Sequence, residues 1–192
     1  MSLQSSIHNW EEEMEHKGLA PETGLGEEMF LFASTLMPVV NVDLLVRNSK
    51  GEFLLSWRDD PRCGTGWHIP GGCIRFRESV SERAQKTALR EFGHPVALAS
   101  DVLHVFEIFA SDNRPITNQN ERAHFMTLVI TGNMPDDFCI EKQSASPGEA
   151  GYLQWFAELP DNLLSVQDCY KEHWHTIQDK LKGIISNGNL EK

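Results

Sequence analysis

The stretch from Trp67 to His94 constrains this chain more than any other part of it. It reads Trp67-His68-Ile69-Pro70-Gly71-Gly72, then a short polar turn, then Ser79-Val80-Ser81-Glu82, and it closes on Gly93. Ser79 followed three residues later by Glu82 is a capping box, in which each side chain serves the other residue's backbone N–H. Gly93 supplies the left-handed residue that stops a helix. The spacing therefore predicts a helix over 80–92 that is entered from a glycine-rich loop. Glycines let backbone approach a ligand closely, and Glu91 falls on the last turn of that helix. Loop carbonyl oxygens and a carboxylate are hard donors that suit magnesium. Such an ion can hold diphosphate oxygens and neutralise charge on a departing phosphate.

The rest of the chain alternates strand and helix patterns without regular βαβ units, which points to an α/β domain with a mixed sheet and helices on its faces. Leu3, Ile7, Trp10 and Met14 form one apolar stripe, so residues 4–17 read as a helix that packs on its own chain or on a second subunit. Residues 18–26 contain Pro21 and three glycines and read as a linker, with a second short helix over 27–36. Val39 to Val46 is a buried strand by its β-branched content. The Asn48-Ser49-Lys50-Gly51 turn returns the chain into a second strand at Glu52 to Trp57, forming a hairpin. Arg58 to Gly66 reads as a polar loop, Trp67 to Ile69 as a short strand, and 102–109, 125–131 and 152–156 as further strands. Ser165 is the expected cap of a last helix whose stripe is Tyr170, Trp174, Ile177, Leu181 and Ile184. His173 and His175 lie two apart on that helix and point to different faces, which argues against a metal site there.

Composition narrows the function. The net charge of −11 over 192 residues opposes binding to nucleic acid or to anionic lipid. A phosphorylated small molecule must then be met by local cations. One cation-rich stretch answers this need, with Arg58, Arg62, Arg75, Arg77, Arg83, Lys86 and Arg90. The four cysteines are scattered, without a C-x-x-C pair, and read as reduced thiols of a cytoplasmic protein. No apolar run is long enough to span a bilayer.

Gly72, Glu78 and the run Lys86-Thr87-Ala88-Leu89-Arg90-Glu91-Phe92-Gly93-His94 keep the spacing G-x5-E-x7-R-E-U-x-E-E-x-G-U, where U is apolar. On this signature the chain resembles the Nudix hydrolase family, over about Val39 to Phe156. The resemblance implies an α/β/α sandwich at 37–160, preceded by an extra helical extension at 1–36 and followed by a helix at 161–192 on the same domain. It also implies hydrolysis of a small-molecule nucleoside diphosphate derivative. The departures are specific. Lys86 replaces arginine, Thr87 and Arg90 replace two glutamates, and His94 replaces an apolar residue. Glu91 is left as the lone carboxylate of a usual cluster, with Arg90 expected to pair with a nearby acid.

This pattern of loss resembles the GDP-mannose mannosyl hydrolase branch, in which water attacks the sugar's anomeric carbon and GDP leaves. That resemblance implies a single Mg2+, with Mn2+ as a substitute, held by the Gly71 carbonyl, Glu91, substrate oxygens and water. Glu149 matches a metal-ligand position, with base duty as its second assignment. Arg58 matches an arginine that assists leaving-group departure, and His124 matches a histidine of the branch; with Glu149 these are the expected catalytic residues. Asp43, Arg58 and Lys86 are the expected substrate contacts; Asp43, inside an apolar strand, is either paired structurally or facing the pocket. Glu78 is expected to hold the loop rather than the ion. The branch's general-base histidine is missing, since Ala150 stands where it would fall. The branch also implies a homodimer. Because of the lost glutamates and the missing histidine, a non-catalytic sensor of a nucleotide sugar or ADP-ribose is the alternative reading.

Overall fold

A computed structural model describes residues 12, 14–16, 30, 33–34, 36–60, 63–109, 124–135, 137–140 and 143–186, the side chains of 184–186 excepted. Residues 12 and 14–16, and then 30, 33, 34 and 36, are helical. The expected stripe residues Leu3, Ile7 and Trp10 and the linker at 18–26 lie outside the described residues.

The described strands are β1 (Val39–Arg47), β2 (Phe53–Asp60), β3 (Gly64–His68), β4 (Gly71–Cys73), β5 (Ala97–Phe109), β6 (His124–Asn133) and β7 (Leu153–Phe156). Two long helices accompany them, α1 (Val80–Phe92) and α2 (Asp168–Ser186). The strands form one sheet in the order β3-β2-β1-β6-β5, with β4 pairing to β1 and β7 to β2. β1 and β6 run parallel while the other pairs are antiparallel, so the sheet is mixed.

Alternation along the strands sends neighbouring residues to opposite faces. On β1, Leu44 and Val46 join Leu54, Ala84, Ala88 and Phe92 under α1. Leu45 joins Phe53, Leu55, Tyr170, Ile177 and Leu181 under α2. Each helix thus covers one face, and the layers are α/β/α.

Helix α1 runs over the residues its caps mark. The Ser79 hydroxyl accepts from the Glu82 amide, the Glu82 side chain answers to the Ser79 amide, and Gly93 ends the helix at φ 65°. Other expectations need correction. β1 and β2 meet as a hairpin at Arg47 and Phe53, but most of β1 pairs instead with β4 and β6. Within the expected loop at Arg58 to Gly66, Arg58, Asp59 and Asp60 are strand residues that pair with Gly66, Thr65 and Gly64. Polar side chains hid this hairpin because its end extends past the covered core. The glycine-rich loop expected at Gly71 and Gly72 includes a short strand, β4, whose glycines carry no side-chain alternation to read. Ser165 opens a 3-10 turn, Ser165–Gln167, and α2 begins at Asp168.

Candidate active site

β4 lies alongside the middle of β1, with Gly71 opposite Asp43. Leu44 donates its amide to the Pro70 carbonyl at 2.8 Å, which fixes the loop to the strand. The contact is too close for any side chain on Gly71. A Cβ there would collide with the Asp43 carboxylate and come within 2.8 Å of the Val42 carbonyl oxygen.

Below the loop, on the α2 face, Asp43 is fully enclosed. Its Oδ1 accepts from Asn41 at 2.6 Å, and its Oδ2 accepts from Tyr170 at 2.9 Å and from Gln167 at 3.2 Å. Burial pushes its pKa up to about 7, against the pull of those three donors and of the Arg58 charge. Of the two expected alternatives for Asp43, structural pairing is the arrangement present. Gln167 also brackets Ile69, accepting its amide at 2.8 Å and donating to its carbonyl at 2.9 Å.

Above the loop, on the α1 face, three groups meet. Arg90 Nη2 donates to the Gly71 carbonyl at 2.7 Å, and Arg90 Nε donates to Glu91 Oε1 at 2.9 Å. Nη2 also lies 2.8 Å from the same carboxylate oxygen. Two of the three expected metal ligands, the Gly71 carbonyl and Glu91, are therefore joined through one guanidinium. The expected pairing of Arg90 with a nearby acid is realised with Glu91.

The register places Ser56 opposite His68 and Arg58 opposite Gly66, so Ser56, Arg58 and His68 share the α1 face. Arg58 is half-exposed and its Nη2 lies 3.3 Å from Asp60 Oδ2. His68 is buried and donates from Nδ1 to the Ser56 carbonyl at 2.8 Å, since a carbonyl can only accept. Burial lowers its pKa to about 4; Glu91 opposes that shift, and Arg58 and Arg90 add to it. The imidazole is thus neutral at physiological pH, close enough to these three charges to feel each of them. The hydroxyls of Ser56 and Thr87 are buried without a partner among the described residues.

The remaining expected residues make other contacts. Lys86 donates to Glu78 at 2.9 Å. Glu78 also accepts from Arg83 at 2.6 and 2.9 Å and from the Arg75 amide at 3.0 Å, which ties the loop to α1. Glu149 is exposed in a turn, where it accepts from the Ser146 amide at 2.8 Å. That turn is anchored beside Arg58, through Gly151 donating to the Trp57 carbonyl and Trp57 donating to the Tyr152 carbonyl. His124 opens β6, stacks on Phe109 and lies 3.1 Å from Glu107. β6 residue Val129 is the one opposite Asp43, so His124 stands about 16 Å along the strand from the Gly71 level. The structure groups Gly71, Glu91, Arg90, Arg58 and His68, and leaves His124 outside that group.

A family model described as the NUDIX domain matches residues 37–169. The chain belongs to the Nudix family. A curated relative is 27% identical over 119 residues, covering 61% of this chain and 72% of its own: the low-salt glycan biosynthesis protein Agl8 of Haloferax volcanii. Among solved structures, a possible asymmetric diadenosine tetraphosphate hydrolase from Jonesia denitrificans superposes with a TM-score of 0.55 at 19% identity, over 76% of this chain and 98% of its own. A UDP-X diphosphatase superposes with a TM-score of 0.54 at 19% identity, over 93% of this chain and 80% of its own. At these identities the structures share the Nudix fold, and their activities are their own.

Nudix hydrolases generally use divalent metal ions, and this donor set can be tested against one. Among the described residues no group of three or more His, Cys, Asp or Glu side chains converges as a metal cage. The Gly71 carbonyl and the Glu91 carboxylate are both hard oxygens, and a positively charged group already bridges them. Magnesium is often held by one or two protein donors, with water and substrate phosphates completing the shell. The residues fit one such ion, provided that Arg90 gives way. Among the described residues no helix is long and apolar enough to cross a membrane.

Proposed function

We propose that this Nudix chain hydrolyses a nucleoside diphosphate linked to a sugar, with GDP-mannose the leading candidate, and does so with one Mg2+ or Mn2+. The observation that carries the reading is the convergence of the Gly71 carbonyl and Glu91 on one bound cationic group, with Arg58 on the same face of the sheet. The glycan-biosynthesis role named for the Haloferax volcanii relative supports a sugar-linked substrate.

Gly71 and Glu91 would hold the ion, which when bound supplies charge neutralisation on the diphosphate. Arg58 would offer its half-exposed guanidinium to the departing diphosphate, where a planar pair of donors suits phosphate oxygens. A good leaving group is the main need of attack at carbon, which suits a site with one acidic ligand on α1 in place of a cluster. Glu149 is assigned to the ion or to deprotonation of water. Its exposed carboxylate, in the turn anchored beside Arg58, supports either role. His68 stays neutral and braces β2 against β3 through the Ser56 carbonyl.

A panel of nucleotide sugars, ADP-ribose and dinucleotides, assayed with Mg2+ and with product identification, tests the proposal. Turnover of a nucleotide sugar is expected, and Glu91→Gln should lose most of it, about 100-fold or more, while keeping the fold. Hydrolysis in oxygen-18 water should place the label in the sugar. Label in the phosphate would move the reaction to phosphorus. Tight binding without turnover across the panel would make the chain a sensor instead.

A further inference from the structure

We propose that the Arg90 guanidinium is a built-in counter-ion that fills the cation position of this site, so that the metal binds with the nucleotide rather than ahead of it. The inference rests on the reading of Gly71 and Glu91 given above and adds a role for a residue that reading does not use.

Three distances define the arrangement: 2.7 Å from Nη2 to the Gly71 carbonyl, 2.8 Å from Nη2 to Glu91 Oε1, and 2.9 Å from Nε to that same oxygen. Successive residues on a helix do not face one another. Arg90 reaches Glu91 only because its long side chain folds back over the entering loop. The Nudix signature has a glutamate where this chain has Arg90. The position has therefore gone from a negative to a positive charge, beside the one carboxylate that remains there.

The consequence is competition. Two positive groups cannot share the same pair of oxygens at contact distance, because their repulsion there is large. Arg90 must release both acceptors before an ion can use them. A diphosphate offers it a better partner, because an arginine fork matches phosphate oxygens in pairs. The Arg90 side chain is 51% exposed and Glu91 19%, so the arginine has room to swing while the carboxylate stays in place. Nucleotide binding thus draws Arg90 onto phosphate and frees the two oxygens at the same time.

Mn2+ titrations read by electron paramagnetic resonance test this without turnover. The wild type should bind Mn2+ weakly alone and on the order of tenfold more tightly with GDP present. Arg90→Gln, which keeps a donor but no charge, should bind Mn2+ alone on the order of tenfold more tightly than the wild type, and its further gain from GDP should be smaller than the wild type's by about that factor. Arg90→Lys, which keeps the charge, should bind Mn2+ alone no more tightly than the wild type. Circular dichroism checks that each variant is folded. Wild-type Mn2+ affinity in Arg90→Gln, an equal gain in Arg90→Lys, or no effect of GDP on the wild type would each overturn the proposal. The two readings fail separately. A gain in Arg90→Gln with no turnover of any substrate removes the hydrolase and keeps the counter-ion. Turnover with no gain removes the counter-ion alone.

Discussion

Glu78 shapes the site without lining it. Its side chain is 4% exposed and accepts from Arg83, Lys86 and the Arg75 amide, so one carboxylate ties the turn after β4 to the first turns of α1. Burial alone would raise its pKa, but those donors outweigh burial and hold it down to about 2. In the unfolded chain the group titrates near its ordinary 4.5. A depressed carboxylate stabilises the fold fully above the unfolded value and loses that contribution as pH falls toward the folded one. Urea unfolding midpoints should therefore hold steady from neutral pH down to about 5 on account of this group, then fall between about 4.5 and 2. Glu78→Gln should cost about 3 kcal/mol at pH 7, because Arg83 is left buried and unpaired, and should flatten the acid fall. An acid fall of the same size in the variant would assign it to other carboxylates. The structural role of Glu78 was legible in the sequence, since a glutamate between a glycine turn and a capped helix has loop donors and helix cations within reach. The surroundings of Asp43 were not, because two of its three donors, Tyr170 and Gln167, come from more than 120 positions away.

Elements differ in how locally they are specified. Helix α1 could be bounded from sequence because its start and stop are short-range devices: Ser79 with Glu82 at one end, Gly93 at the other. Ser79→Ala should cost about 1 kcal/mol of stability by urea unfolding, with the Glu91 end of the helix unaffected. β4 is the opposite case. Three residues, two of them glycine, carry no periodicity, and the strand exists because β1 offers it a partner. Close approach is what makes glycine necessary at position 71. Gly71→Ala should therefore cost more than the Ser79 change, about 2–3 kcal/mol, since a methyl group must displace the Asp43 carboxylate or the Val42 carbonyl. Equal losses in the two variants would mean that the loop yields easily and that Gly71 is not held against β1. The end of the β2–β3 pairing, at Arg58 to Asp60 and Gly64 to Gly66, is a similar case. Its polar residues pair backbone to backbone, and backbone pairing leaves no mark on side-chain patterning when the strand ends stand clear of the core.

Across the molecule, Gln167 ties the α2 side of the sheet to the segment that leads into β4. α1 and its carboxylate lie on one side, and α2 with Tyr170, Ile177 and Leu181 lies on the other. The loop between β3 and β4 threads the gap, with Ile69 bracketed by the Gln167 amide and Gly71 presenting its carbonyl to Arg90 two residues later. Gln167 thereby holds the segment that precedes the Gly71 carbonyl. Sequence patterning gave α2 its apolar stripe but no cue for Gln167, a polar residue in a 3-10 turn, so this link was invisible before the fold was known. Gln167→Ala should expose the Ile69 amide to faster hydrogen exchange and cost about 1–3 kcal/mol, the usual penalty for leaving buried polar groups unpaired. Gln167→Glu should be worse at neutral pH. Its carboxylate can still accept from Ile69, but it cannot donate to the Ile69 carbonyl and it faces Asp43 at the position where Gln167 now donates at 3.2 Å. Two enclosed carboxyl groups that close cannot both ionise cheaply, so the glutamate variant should recover stability as pH falls and the alanine variant should not. Parallel pH profiles for the two variants would show that Gln167 fills space there and leaves the loop to be held by β1 alone.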